Sequence, residues 1–269
     1  MSGAQGFGGP RAVSPVVLVH GLGVDHRMWS LQVPHLQQVG PVWAPDLPGF
    51  GACPPLPVER RTPEGYVDWL AARLRERGAG AVHVAGYSMG GTLALLLALR
   101  HPRRVRSLAL CCSSPCWGRG ARHAAAFAFG ALGGRFAMEV FVRSVEWGFA
   151  RYSADPGLRA EVAAMVRGAD RATMLSLYHS LAGTDLRAEV PRVAAPALVV
   201  GGTRDWLAPP SHQKLLARAL PRAELRLVKG GNHMLCAAQP EEFGGLLRRF
   251  FRDAGEGPVG PGKAAWPGW

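Results

Sequence analysis

The chain has 269 residues, 48% of them hydrophobic, which suits one large α/β domain or two small ones with a substantial core. No apolar run reaches the roughly 18 residues of a membrane-spanning helix, so we expect no membrane anchor. The net charge of +12 comes almost wholly from scattered arginines. The densest basic run, RHPRRVR (100–106), lacks interleaved aromatic residues, so we expect an acidic protein or anionic substrate as a partner and no nucleic acid.

Three further expectations follow from the sequence before any motif is considered. The stretch MSGAQGFGGPRAVSP has no apolar segment of the secretory type, so we expect a cytoplasmic protein. The five cysteines are an odd number and have no zinc-type spacing to a histidine, so we expect reduced, mostly buried thiols. We expect no metal, no cofactor and a monomer.

Short apolar runs alternate with helical patterns along the chain. The predicted strands are 16–19, 42–44, 81–85, 107–112, 197–201 and 224–228. The predicted helices are, approximately, 63–77, 90–101, 211–220 and 240–252. Such alternation predicts a mostly parallel sheet that is buried under helices on both faces.

One long region breaks this alternation. Residues 113–185 contain helical patterns but no convincing strand, which predicts a helical cap inserted over the sheet. The core domain is then formed by 12–112 and 186–254. The Gly/Pro-rich ends, 1–11 and 255–269, are expected to be disordered.

The stretch GYSMG, residues 86–90, lies where a predicted strand ends and an apolar helix begins. A serine at such a corner exposes its hydroxyl, and the flanking glycines are needed because any side chain would collide in so tight a turn. The free amide groups at the start of the helix favour negative charge beside the serine. This Gly-x-Ser-x-Gly pattern predicts that Ser88 is a nucleophile.

A serine nucleophile needs a histidine base and a carboxylate that orients the base, and this corner predicts the chain order serine, acid, histidine. Asp205 follows the predicted strand 197–201, and His233 follows the predicted strand 224–228. Parallel strands bring such loops to the same edge of a sheet. The sequence therefore predicts a catalytic triad of Ser88, His233 and Asp205.

Other acids and histidines fit these roles less well. Asp46 precedes the serine, and Asp170 and Asp185 lie in or beside the predicted cap. His26 follows the first strand closely enough to reach the crevice, but we assign it no role. Six more histidines are expected to be structural or solvated: His35, His83, His101, His123, His179 and His212.

The reaction also needs hydrogen-bond donors for an oxyanion. The segment HGLG, residues 20–23, ends the first predicted strand, and its glycines let the backbone turn the Leu22 N–H toward the crevice. The Met89 N–H directly follows the nucleophile and is the second expected donor.

These motifs resemble those of the α/β-hydrolase superfamily over residues 12–252, together with DLPGFG (46–51) and HPRRVRSLAL (101–110). A closer resemblance is to the pimeloyl-[acyl-carrier protein] methyl ester esterases of biotin synthesis. It is carried by HGLGVDHRMW (20–29), DLPGFG, SSPCW (113–117) and TDLRAEVPRVAAPALVV (184–200). The resemblance implies an α/β-hydrolase fold, with a mostly parallel central sheet flanked by helices and an inserted helical cap.

The resemblance also implies a serine carboxylesterase that frees the carboxylate of a carrier-bound pimeloyl methyl ester. Family members contact the acidic carrier protein through arginines of the cap. The candidates for such contacts in this chain are Arg143, Arg151 and Arg159, with Arg135 and Arg167 also in the cap. Where the family often has tryptophan, this chain has Leu22 and Tyr87, which changes the apolar wall beside the ester.

Several rival functions remain open at this point. General esterases, lactonases, carbon–carbon bond hydrolases and perhydrolases share the SMGG corner, and their acyl pockets come from the variable cap. Dehalogenases and epoxide hydrolases use an aspartate where Ser88 stands. A non-catalytic binding module is disfavoured, because no member of the predicted triad is missing.

Overall fold

The computed structural model describes residues 14–117 and 155–255, together with Glu139 and Arg143. Most of the predicted first half of the cap and nearly all of both chain ends, which were expected to be disordered, lie outside this part of the chain. The predicted division into core and cap stays a prediction.

A six-stranded sheet forms the centre of the described structure. Its strands are β1 (Val16–Val19), β2 (Val42–Trp43), β3 (Val82–Tyr87), β4 (Val105–Cys111), β5 (Ala197–Gly202) and β6 (Ala223–Val228). They stand in the order β2-β1-β3-β4-β5-β6, and every neighbouring pair is parallel. The predicted parallel sheet is confirmed.

Helices follow or precede most strands, as the alternating pattern predicts. They are α1 (Val33–Leu36), α2 (Pro63–Glu76), α3 (Met89–Arg100), α4 (Pro156–Gly168), α5 (Arg171–Gly183), α6 (Pro210–Ala219), α7 (Leu235–Ala238) and α8 (Pro240–Gly255). Thr62 begins α2 as its N-cap and accepts a hydrogen bond from the Gly65 N–H, while Pro63 occupies the first turn.

The two faces of the sheet are buried in two separate hydrophobic clusters. Alternate residues of β1 show this division, since Val17 and Val19 contribute to one cluster and Val16 and Leu18 to the other. The first cluster includes apolar residues of α2 to α6, and the second includes those of α1, α7 and α8. Near-continuous burial along β1, β3 and β5 explains why these strands read as unbroken apolar runs.

The structure extends β3 beyond its predicted end at Ala85. Gly86 pairs with Val19 of β1, and Tyr87 pairs with Cys111 of β4. The sequence analysis ended the strand at Ala85 because it assigned Gly86 and Tyr87 to the turn around Ser88. The extension brings the residue before Ser88 into the sheet itself.

The two ends of the region predicted as a cap lie side by side. An isolated antiparallel bridge joins Cys116 to Asp185, and the Leu186 N–H donates to the Pro115 carbonyl over 2.8 Å. We call these two short segments, 115–116 and 185–186, the neck. The neck holds the two ends of the predicted cap region next to each other.

The two described helices of the predicted cap, α4 and α5, pack on the rest of the structure. Apolar residues of α4 and α5, including Met165 and Leu177, belong to the first cluster. The Asp170 N–H donates to the Gly49 carbonyl over 2.8 Å. Within the ranges described, no helix has both the length and the apolar character that crossing a membrane would require.

Candidate active site

Ser88 lies at a strained corner between β3 and α3. Its φ of 54° and ψ of −118° are values that side-chain-bearing residues rarely adopt. Two hydrogen bonds hold this backbone in place: its N–H donates to the Cys111 carbonyl, and the Ser113 hydroxyl donates to its carbonyl, both over 2.8 Å. The corner therefore presents a fixed hydroxyl at the carboxyl edge of the sheet.

The glycines on either side of Ser88 are required by close backbone contacts. A Cβ atom at Gly86 would collide with the Gly90 carbonyl oxygen, and one at Gly90 would collide with the Val19 carbonyl oxygen. The prediction that side chains would not fit in this turn is confirmed.

Ser88, His233 and Asp205 lie within hydrogen-bond distance of one another in series. The Ser88 Oγ is 3.1 Å from His233 Nε2. His233 Nδ1 is 3.1 Å and 3.0 Å from the two carboxylate oxygens of Asp205. Because a carboxylate only accepts, Nδ1 carries the proton and Nε2 is free to accept from the serine hydroxyl. This tautomer is the one that a general base needs.

Asp205 is held in a buried, fixed orientation. The residue is 3% exposed. Its Oδ1 accepts hydrogen bonds from the N–H groups of Leu207 and Ala208, over 2.9 Å and 2.8 Å. These amides belong to the loop after β5, so the same turn that brings the acid to the site also fixes its rotamer.

The segment that carries Leu22 lies directly beside Ser88. A Cβ atom at Gly21 would stand 3.5 Å from the Ser88 Cβ and from the Tyr87 carbonyl oxygen, so the two segments lie side by side at contact distance. Gly23 has a φ of 81°, which turns the chain away after Leu22. Met89 is the first residue of α3, and its N–H points out of the helix start beside the serine. The segments that carry both expected donors thus lie beside Ser88, and the role of the Leu22 and Met89 N–H groups stays a prediction.

His20 anchors the turn before Leu22, a role that sequence reasoning missed. Its side chain is fully buried, its Nδ1 donates to the Gly21 carbonyl over 2.8 Å, and its Nε2 accepts from the Leu47 N–H over 2.9 Å. Burial lowers the pKa of His20 to about 4, so the ring is neutral near pH 7. The HGLG pattern was the available signal, but the Leu47 N–H that fixes the ring lies 27 residues away in sequence.

Sequence reasoning also missed two residues that support the nucleophile and the base. The Tyr87 hydroxyl donates to the His233 carbonyl over 2.7 Å. Gln213, fully buried on α6, donates to the Ser113 carbonyl over 3.2 Å. Through Ser113 it is linked to the backbone of Ser88. The SSPCW motif had marked Ser113 only as a point of family resemblance.

The weaker acid candidates have other partners. Asp46 bonds the backbone N–H and Nδ1 of His26. Asp170 caps α5 and lies 3.5 Å from Arg61, and Asp185 forms an ion pair with Arg187. Asp205 is the described carboxylate that bonds His233.

The predicted carrier-protein contacts are only partly within the described structure. Arg143 is exposed and forms an ion pair with Glu139 over 3.0 Å. Arg159 lies on α4 and is half-buried. Arg151 lies outside the described residues. Their proposed role stays a prediction.

The fold and the arrangement around Ser88 define a hydrolase, and a comparison with protein families agrees. Residues 14–238 match the family described as the alpha/beta hydrolase fold. The chain belongs to this family.

Comparisons with individual proteins indicate which kind of hydrolase the chain is. The chain is 30% identical over 251 residues to the pimeloyl-[acyl-carrier protein] methyl ester esterase of Aromatoleum aromaticum, which covers 88% of this chain and 98% of that relative. A hydrolase from Pseudomonas aeruginosa PA01 is 25% identical, with a TM-score of 0.78 over 90% of this chain and 91% of its own. The enol-lactonase from Burkholderia xenovorans LB400 is also 25% identical, with a TM-score of 0.77 over 90% and 92%. The chain is a carboxylic ester hydrolase.

Proposed function

We propose that this enzyme hydrolyses the methyl ester of a pimeloyl-[acyl-carrier protein] by a serine acyl-enzyme mechanism. The observation that carries the mechanism is the series of hydrogen bonds from Ser88 through His233 to Asp205 at the edge of the sheet. The substrate is supported by the name of the relative from Aromatoleum aromaticum and by the sequence motifs that this chain shares with that family.

In the first half of the reaction, the Ser88 hydroxyl attacks the ester carbonyl while His233 Nε2 takes its proton. Asp205 orients the ring and stabilises the imidazolium that forms. The N–H groups of Leu22 and Met89 donate to the oxyanion of the tetrahedral intermediate. His233 then gives its proton to the departing oxygen, and methanol leaves as the acyl-enzyme forms.

In the second half, His233 removes a proton from water, and the resulting nucleophile attacks the acyl carbonyl. The tetrahedral intermediate is held by the same two amides. Its collapse breaks the bond to Ser88, returns the proton to the serine oxygen and releases the free carboxylate. Neither half-reaction requires a metal or a cofactor.

We attribute recognition of the carrier protein to electrostatic attraction. The net charge of +12 favours approach of an acidic partner, and its attraction weakens as salt screens it. Arg143, Arg151 and Arg159 are the proposed contacts on the cap, with the carrier-bound chain passing beneath it to Ser88.

The test compares carrier-bound pimeloyl methyl ester with short p-nitrophenyl esters at equal concentration. We expect much faster turnover of the carrier-bound ester. We also expect a KM for that ester that rises with salt, and a further rise when the three arginines are replaced by glutamate. The p-nitrophenyl reaction is the matched control, because it needs no carrier contact. Equal or better turnover of the small esters, with no effect of the arginine changes, would contradict the carrier-protein assignment.

A lactone is the second candidate substrate, because the enol-lactonase from Burkholderia xenovorans LB400 shares the fold at 25% identity. Opening a lactone uses the same acylation and deacylation steps, with the leaving oxygen still tethered to the acyl group. Assaying an enol-lactone beside the methyl ester separates the two, since the faster kcat/KM identifies the preferred bond. A general short-chain esterase or a carbon–carbon bond hydrolase remains the alternative if neither substrate is favoured.

A further inference from the structure

A thiol that the proposed reaction does not use lies beside the His233–Asp205 pair. Cys112 directly follows β4, is fully buried and has a φ of 46°. Its Sγ, a carboxylate oxygen of Asp205 and a ring nitrogen of His233 all lie within 4.8 Å of one another. Thiolate sulfur, carboxylate oxygen and imidazole nitrogen are the donor types that zinc takes in proteins.

We propose that Cys112, Asp205 and His233 form an inhibitory Zn²⁺ site. Tetrahedral zinc holds sulfur at about 2.3 Å and nitrogen or oxygen at about 2.0–2.2 Å, which places donor atoms roughly 3.5 Å apart. Asp205 Oδ2 and His233 Nδ1 are already 3.0 Å apart, so the ion chiefly requires that Cys112 Sγ approach these two atoms, by about 1 Å. Zinc sites that are not purely structural usually have three protein ligands and a water in the fourth position.

The position of the ion within the cluster follows from the existing hydrogen bonds. Asp205 Oδ1 is held by the amides of Leu207 and Ala208, which leaves Oδ2 to bind the ion. His233 Nδ1 is 3.0 Å from Oδ2, whereas its Nε2 is directed at Ser88. Zinc therefore occupies the place of the Nδ1 proton. The thiolate and the carboxylate together offset its two positive charges, which makes burial acceptable.

Binding at this place disables the base. A neutral imidazole carries one N–H, so zinc on Nδ1 moves that proton to Nε2, which then cannot accept from the Ser88 hydroxyl. The Cys112 thiol gives up its proton to solvent, so one ion enters as one proton leaves. This inhibitory effect rests on the proposed role of His233 as the base, whereas the binding itself does not.

The donor set also predicts which ions act. Mg²⁺ and Ca²⁺ prefer oxygen ligands, and one carboxylate with a thiolate and an imidazole does not suit them. We expect Zn²⁺ and Co²⁺ to bind and Mg²⁺ to leave the activity unchanged.

The first test is a titration of p-nitrophenyl ester hydrolysis with ZnCl₂ in the full-length wild type, in Cys112→Ala and in Cys111→Ala. Cys111 is an equally buried thiol one residue earlier on β4, so its variant is the matched control. We expect micromolar zinc to inhibit the wild type and the control, and EDTA to restore activity. For Cys112→Ala we expect the zinc concentration for half-inhibition to rise by about tenfold or more, relative to its own zinc-free rate.

The second test does not use activity. Co²⁺ bound to a thiolate gives a charge-transfer band in the near ultraviolet, which we expect in the wild type and in Cys111→Ala but not in Cys112→Ala or Cys112→Ser. The serine variant covers the case in which the alanine variant does not fold. Absence of the band in the wild type, or equal zinc sensitivity of the wild type and Cys112→Ala, would overturn the proposed site. A Co²⁺ band together with undiminished hydrolysis would overturn the inhibition, and with it the role of His233.

Discussion

At the scale of single residues, the site depends on groups that hold other groups in place. Ser88 adopts an unfavourable backbone conformation that costs about 1–3 kcal/mol, and the surrounding hydrogen bonds maintain it. Asp205 and His20 are both buried with their polar atoms bonded, so neither has freedom to rotate. The rigidity of the site thus comes from these bonded neighbours.

The first prediction concerns the proposed nucleophile and base. Ser88→Ala and His233→Ala should each lower kcat by about 10⁴-fold or more, because the two act as one unit. Asp205→Asn should be severe but less damaging than the serine change, since the serine remains. Steady-state hydrolysis of a p-nitrophenyl ester measures the loss, and an unchanged melting temperature shows that folding is intact. Near-normal hydrolysis by either alanine variant would rule out the triad.

A second prediction concerns Tyr87, whose hydroxyl donates to the His233 carbonyl. Tyr87→Phe leaves that carbonyl without its donor, so we expect a loss of about 1 kcal/mol in stability and a kcat lowered by about tenfold as His233 shifts. Tyr66→Phe is the matched control, because the Tyr66 hydroxyl also donates to a backbone carbonyl, that of Pro48, over 2.7 Å. For Tyr66→Phe we expect a similar loss of stability but an unchanged kcat. Equal kcat values for the two variants would refute the positioning role of Tyr87.

At the scale of elements, the unit formed by β3, the turn at Ser88 and α3 is the part of the site that the sequence predicts best. The residues that mark this corner are five in a row, so the GYSMG pattern alone indicated it, and the order of strands indicated Asp205 and His233. The bonds of Tyr87 to His233 and of Gln213 to Ser113 join residues more than 95 positions apart. Such long-range pairs depend on tertiary packing, for which a single sequence has no local signal.

The corner itself gives the third prediction. Gly86→Ala would push a methyl group into the Gly90 carbonyl, and we expect the free energy of unfolding to fall by about 3 kcal/mol, with loss of activity as Ser88 moves. Gly80→Ala is the control, because nothing lies within 4 Å of the added atom. Urea denaturation and ester hydrolysis measure the two effects. A Gly86→Ala variant as stable and active as Gly80→Ala would show that the turn has room for a side chain.

At the scale of the whole molecule, two buried histidines couple stability to pH. His20 lies at the carboxyl edge of the sheet beside the site, and His83 lies near the opposite end of β3, where its Nδ1 is 2.8 Å from the Ser107 hydroxyl. Burial lowers the pKa of each from 6.5 to about 4. Between these values the unfolded chain binds protons that the folded chain does not, so the fold loses stability as the pH falls.

The fourth prediction follows from this coupling. The free energy of unfolding should be highest above pH 6.5 and decline continuously toward pH 4, by at most about 3 kcal/mol for each histidine. Urea denaturation at pH 7.5, 6 and 5 tests it in a range above the titration of most carboxylates. His83→Gln should remove about half of the decline, while the contribution of His20 remains. Constant stability from pH 7.5 to 5 would contradict the burial of neutral rings.

The neck has a consequence for how such enzymes diversify. Because Cys116 and Asp185 are paired, the two ends of the predicted cap region lie side by side. A region whose two ends are adjacent can be lengthened, shortened or exchanged between lineages without altering the order of strands or the corner that bears Ser88. Selection can therefore act on the predicted cap separately from the strands and the corner, and a laboratory graft of a foreign cap has natural boundaries at these two residues.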